Sequence, residues 1–222
     1  MATAMTDTNT LIAGLHASSP QTLPFDRAVA VRAFLLEREA GNLLVYSNGG
    51  LARDSEAFLA LGGIARQYLN HWHESLFGGL SGTGLEAPLF VHRADAGPTE
   101  KRLQVRGTFS RRHHFGEDFE VIPAPGHTPG ATAYLWDSGE HRVLFTGDTL
   151  YLRDGEWVAA VLDSSDRAGY IESLELLRGV EFDVLAPWAA SAGGPPYMML
   201  DEGEGAERID AVIERLRRGA NG

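Results

Sequence analysis

Four side chains in three short segments have the types and spacing to hold a metal ion. His71-Trp72-His73 sets two imidazoles two residues apart at the end of a strand-like run. In an extended chain residues i and i+2 point the same way, so both rings can converge on one ion. Alone, a His-x-His arises readily by chance in a chain with eight histidines. Pro125-Gly126-His127-Thr128-Pro129-Gly130 is more specific, because two prolines and two glycines fix a rigid turn around a single histidine directly after a strand-like run. Phe145-Thr146-Gly147-Asp148 ends an apolar run in Gly-Asp and presents a carboxylate at its C-terminal edge. His71, His73, His127 and Asp148 together are three imidazoles and a carboxylate, a set that suits zinc with a position left open for water.

The neighbouring residues read differently. Glu74 adds a carboxylate next to His73, but the alternation of side chains points it away from the histidine pair, to solvent or behind a ligand. Trp72 and Trp188 read as packing or pocket-wall residues. His92 reads as a strand-end histidine with a structural partner, and His113 and His114, beside Arg111 and Arg112, as an exposed loop. His16 and His141 carry no signal.

The elements that must position these groups follow from apolar periodicity and its punctuation. Runs at 29–37 and 42–46, joined by Arg38-Glu39-Ala40-Gly41, predict a β-hairpin. Helical spacing is predicted over 55–61 and a strand over 64–70, leading into His71. Further strands are predicted over 89–92, 119–122, 132–136, 142–145 and 182–186, each bounded by Gly, Pro or Asp. Helices are predicted over 165–178, with Ile171, Leu174 and Leu177 on one face, and over 206–217, with Ile209, Val212, Ile213 and Leu216. The Arg-rich stretch 101–112 gives no clear periodicity. Strands and a helix followed by strands and helices suit two sheets covered by helices.

Composition bounds the rest. The 222 residues are enough for one domain with a buried core. Thirty acidic against nineteen basic residues give a formal charge of −11, and no basic stripe suits a nucleic acid. No apolar run approaches a membrane span. The absence of cysteine excludes disulfides, thiolate ligands and a cysteine nucleophile, and fits a cytoplasmic protein. Residues 1–21 read as a flexible leader, without the basic and long apolar regions of a signal peptide, ahead of a single domain over 22–222.

In this order and spacing, the three segments resemble the metallo-β-lactamase superfamily, and Pro125–Gly130 is similar to the turn of its hydroxyacylglutathione-hydrolase-like branch. The resemblance implies an α+β fold, a four-layer αββα sandwich of two mixed sheets with the metal site at the edge between them. It also implies two metals. The first would be held by His71, His73 and His127, with Asp148 as the bridging carboxylate. The second would need an Asp-His pair where this chain has Ser75-Leu76, and a late histidine where it has Pro187-Trp188. Gly78-Gly79 keeps the family's Gly-Gly in register, so the alignment is not slipped. Every missing group belongs to the second metal, which implies one retained site, with Trp188 filling the volume a histidine and metal would take.

One zinc ion (or iron) in that site implies hydrolysis of an ester, thioester or lactone of a small molecule through metal-bound hydroxide. Asp148 would be the fourth ligand or orient the water, and Glu74 could compensate for the missing Asp. Two other readings stand beside it. His71, His127 and Asp148 alone suit a mononuclear Fe(II) oxygenase of the persulfide-dioxygenase type, although that branch keeps the full first motif. A non-catalytic member of the fold, with a structural metal or none, is the third. A homodimer is compatible with all three readings.

Overall fold

The computed structural model describes residues 12–220. Strand alternation decides which face each residue serves. In strand Thr132–Asp137, Tyr134 and Trp136 face one way while Ala133 and Leu135 face the other. Its antiparallel neighbour Arg142–Phe145 divides Val143 and Phe145 from Leu144 in the same manner. The first set meets Phe34, Leu36, Leu43, Val45 and Tyr68 of a second sheet, forming the inter-sheet core. The other set packs on two helices through Tyr170, Leu174, Leu177, Ile209, Val212, Ile213 and Leu216.

The expected α+β sandwich of mixed sheets is present. One six-stranded sheet runs in the order Leu15–Ala17, Phe34–Leu36, Leu43–Val45, Arg66–Tyr68, Leu89–His92, Val105–Phe109. The other runs Met198–Met199, Val184–Leu185, Arg142–Phe145, Thr132–Asp137, Phe119–Pro123, His113–His114. A third, five-stranded group adds to these: Glu156–Val158, Tyr151–Arg153, Ala189–Ser191, Val29–Val31 and Gln21–Thr22. The helices are α1 (Leu51–Ala60), α2 (Arg93–Glu100), α3 (Arg167–Arg178) and α4 (Glu204–Arg217). Asp166 caps α3 by accepting the amides of Ala168 and Gly169.

Several expectations need correction. The run 29–37 is two strands in two sheets. Between them Arg32 N–H donates to Trp188 O and Ala33 N–H to Ser18 Oγ, so the chain changes partners at that point. Residues 12–21, expected as flexible leader, are built into the domain: Ile12 and Leu15 are buried, and Leu15–Ala17 pairs with Phe34–Leu36. That strand covers the edge the hairpin would otherwise expose. The rest of the leader, 1–11, lies outside the described residues. Helix α2, hidden by its internal Pro98, lies just before the featureless Arg-rich stretch, which itself holds strand Val105–Phe109, whose Val105, Gly107 and Phe109 alternate with exposed Arg106 and Thr108. His113-His114, expected as loop, is an exposed edge strand pairing with Glu120 and Val121.

The hairpin turn is anchored by Arg38. Its buried guanidinium grips Asp118 through Nε (2.6 Å) and a second N–H, and donates to Phe115 O. This clamp joins the two six-stranded sheets at one end. At the other end the site segments leave the strands.

Candidate metal centre

His71 and His73 converge through a turn, not through strand alternation. The strand ends at Tyr68, His71 is extended (φ −154°, ψ 165°), and Trp72–Leu76 is a short 3-10 helix. That helix also overturns the expected direction of Glu74. Its carboxylate is fully buried and accepts the amides of Ser47 (3.0 Å), Asn70 (2.7 Å) and His71 (3.1 Å), with Oε1 3.4 Å from His71 Nδ1. Glu74 therefore stands behind His71, as one of the two sequence alternatives held, and is not exposed.

Hydrogen bonding fixes the tautomers of two rings. Asn70 Nδ2 donates to Thr132 O and Thr146 O, so its other amide atom is the oxygen, an acceptor. That oxygen lies 2.9 Å from His71 Nδ1, which must be the donor, so in the neutral ring Nε2 carries the lone pair. His127 Nδ1 likewise donates to Ala160 O at 2.6 Å, which leaves its Nε2 as the lone pair. One ring nitrogen from each of His71, His73 and His127 lies within 4.8 Å of the other two. His73 Nδ1 is 3.0 Å from His127 Nε2, and His71 Nε2 is fully buried without any hydrogen-bond partner. Buried polar atoms are rarely left so.

Asp148 completes the cluster. Its Oδ2 is 3.4 Å from His71 Nε2 and 3.5 Å from His127 Nε2, beyond ordinary hydrogen-bond length in both cases. The turn that carries it is tightly held. Gly147 has φ +57°, and a Cβ there would overlap the Asn70 amide, so only glycine fits. Tyr170 Oη of α3 lies 2.7 Å from Asp148 O and 2.8 Å from Thr149 O. The fully buried Tyr46 phenol accepts Gly147 N–H (2.8 Å) and donates to Ala186 O (2.9 Å).

The His127 turn is held on both sides, and three neighbours explain why. Ser173 Oγ donates to Pro125 O at 2.6 Å, and Ser165 Oγ to His127 O at 3.1 Å. The other neighbour is Asp95, a buried carboxylate of α2 that the sequence did not single out. It accepts Thr128 Oγ1 (2.7 Å), Gly130 N–H (2.9 Å) and Trp72 N–H (3.0 Å), and so links the two histidine segments. Three buried N–H or O–H donors facing one acidic residue is the signal, but it arises only after folding.

The electrostatics differ from ring to ring. Burial opposes protonation of His71, but the carboxylates of Asp148 and Glu74 outweigh it and raise its pKa to about 10. Burial and the charge on His71 and His127 then push His73 down to about 3, and burial and His71 lower His127. Asp148 is held below the usual carboxylate range: burial raises it, but its histidine neighbours prevail. Burial raises Glu74, with His71 opposing.

The positions that the resemblance assigns to a second metal carry no ligand. Ser75 Oγ is turned back onto Trp72 O (2.7 Å), and Leu76 is 47% exposed at a cavity mouth. Trp188 is buried, donates its Nε1–H to Ser47 O (2.8 Å) and sets its ring 5.4 Å from that of His71. Trp72 packs on the His73 ring, 4.1 Å away. His92 Nδ1 caps α2 by accepting Ala94 N–H, the structural role expected of it. His16 and His141 pair with Glu37 and Asp183 away from the cluster.

The chain is thus a sandwich of mixed sheets with three imidazoles and a carboxylate gathered where its strands end. The chain belongs to the metallo-beta-lactamase superfamily, whose family model matches residues 56–189, more than half of its 222 residues. A search of curated proteins finds no match. Solved structures agree on the fold. A metallo-beta-lactamase from Pontibacter korlensis superposes with a TM-score of 0.69 at 15% identity, covering 93% of this chain and 96% of that one. A metallo beta lactamase from Hirschia baltica gives 0.68 at 13%, covering 91% and 95%. A protein solved in a di-iron-bound form gives 0.62 at 23%, covering 85% and 96%. Among the described residues no helix is long and apolar enough to cross a membrane.

Proposed function

We propose that the protein is a metal-dependent hydrolase of an ester, thioester or lactone, with one ion held by His71, His73 and His127 and with Asp148 beside it. The observation that carries this is the convergence of three imidazole nitrogens on one point, with His71 Nε2 buried and unpartnered. A divalent cation there would give that nitrogen its missing partner and balance the two adjacent carboxylates, Asp148 and Glu74. Three imidazoles with a carboxylate suit zinc.

When bound, the ion supplies Lewis acidity toward a carbonyl and lowers the pKa of water to near neutrality. The chain's own residues do the rest. Asp148, ionised at neutral pH, accepts a hydrogen bond from an attacking water and can hold its proton at Oδ2. Asn70 and the Ala160 carbonyl fix which nitrogen of His71 and His127 faces the ion. The largely apolar walls of the adjoining cavity flank the reacting centre.

The iron oxygenase is the second reading, supported by the donor set of His71, His127 and Asp148 and by the di-iron-bound form of one structural neighbour. Metal analysis of protein purified without added metal, followed by assay on esters, thioesters and lactones, tests both. One zinc per chain with hydrolysis is expected. One iron without hydrolysis favours the oxygenase, and no metal after reconstitution overturns both.

A further inference from the structure

The cavity beside the imidazoles has a volume of about 580 Å³, within the usual range for small-molecule sites. His73, His127 and Asp148 stand on one side of it, and most of the remaining lining is apolar. None of the described lining residues is a lysine or arginine. The one other charged group, Asp26, is paired with Arg153 at 3.1 Å. Three large apolar side chains, Phe25, Leu76 and Leu162, are 79%, 47% and 43% exposed, and all three line this same cavity. Exposed apolar groups gathered around one opening, rather than scattered, mark a binding surface.

Two of the wall residues stand where the resemblance calls for ligands of a second metal. Leu76 contributes an aliphatic chain at the mouth. Trp188 turns its only polar atom away to Ser47 O, so the indole offers the cavity carbon alone.

We infer that this cavity is a subsite for an uncharged, apolar chain attached to the reacting carbonyl, formed by the positions given up by the second metal. The inference rests on the hydrolase reading for which bond is cleaved, but not for what binds. A chain bearing a carboxylate or phosphate would lose hydration here and meet no cation in the wall. The subsite therefore selects against anionic conjugates, glutathione thioesters included.

The test is equilibrium binding of methyl ketones, which carry the carbonyl but cannot be hydrolysed. They are titrated into the metal-loaded protein against the neutral apolar fluorophore N-phenyl-1-naphthylamine. Affinity should rise about three- to fourfold per methylene from 2-pentanone until the cavity is filled. 7-Oxooctanoate, charged at its far end, should bind at least tenfold more weakly than 2-octanone. The double variant Phe25→Ser, Leu162→Ser, altered only at exposed positions, should lose about tenfold in affinity for 2-octanone while keeping its metal. Affinity independent of chain length, equal binding of 7-oxooctanoate, or native binding by the double variant would overturn the subsite. If the ketones bind as expected but no ester is cleaved, the hydrolase reading falls and the subsite stands. If esters are cleaved without regard to chain length, the reverse holds.

Discussion

The Asp95 carboxylate lies 2.7 Å from the hydroxyl of Thr128, and the same oxygen accepts the backbone N–H of Trp72. One buried acid thus holds His127's turn against the segment bearing His71 and His73, while standing outside the cluster itself. Asp95→Ala would leave the Trp72 and Gly130 amides and the Thr128 hydroxyl without an acceptor. Each such group costs about 1–3 kcal/mol when buried, so urea titration should show a loss of about 3 kcal/mol or more. Zinc affinity, read by chelator competition, should fall about 10- to 100-fold, as for other groups that orient ligands.

Metal stoichiometry separates the two halves of the family motif. Elemental analysis should find one ion per chain in the native protein and none in His127→Ala. Leu76→Ala should still hold one. Two ions in the native protein would contradict the single-site assignment.

Gly147 sits at φ +57° with the Asn70 amide directly over its Cα. Gly147→Ala should displace Asn70 from Thr132 O and Thr146 O, and with it the acceptor that sets the His71 tautomer. A loss of at least about 2 kcal/mol is expected from the strained backbone and the clash together. Thermal melts with and without zinc should show a second effect, a smaller stabilisation by the ion than in the native protein.

The Arg38–Asp118 clamp predicts a pH dependence. The Arg38 hydrogen bond holds the Asp118 pKa below the usual carboxylate range, against an opposing contribution from burial. A carboxylate lowered in the folded state stabilises above its unfolded pKa of about 3.9 and loses that contribution as pH falls through the folded value. Asp118→Asn should therefore cost about 1–3 kcal/mol at pH 7, a range that allows for screening at a half-buried carboxylate. The difference from the native protein should shrink as the medium is acidified, measured by urea titration across pH 3–7.

Much of the site was legible because its chemistry is local. The prolines and glycines around His127 and the apolar run ending in Gly147-Asp148 state their geometry within six residues. The second strand ends where expected, at Phe145, and the first at Pro123, one residue beyond the expected 122. The direction of Glu74 was misread because a 3-10 turn replaced the assumed extended chain, and a period of two does not survive such a turn. Asp95 could not be found, since its three partners come from two segments that meet it only in the fold. The strand switch at Arg32 and Ala33 escaped for a related reason. Continuous burial of 29–31 and 34–36 looks like one strand when two sheets cover successive halves.

The Tyr46 phenol has a mechanical consequence. Its oxygen is shared between the amide preceding Asp148 and the carbonyl of Ala186, two residues before Trp188. The carboxylate and the indole are thus mounted on a common strut, wedged into the core by a backbone at φ +73°. A guest that leans on the indole would strain the support of the carboxylate as well. Poor fit in the apolar wall should then slow turnover as well as loosen binding, so selectivity would register in kcat and not in KM alone.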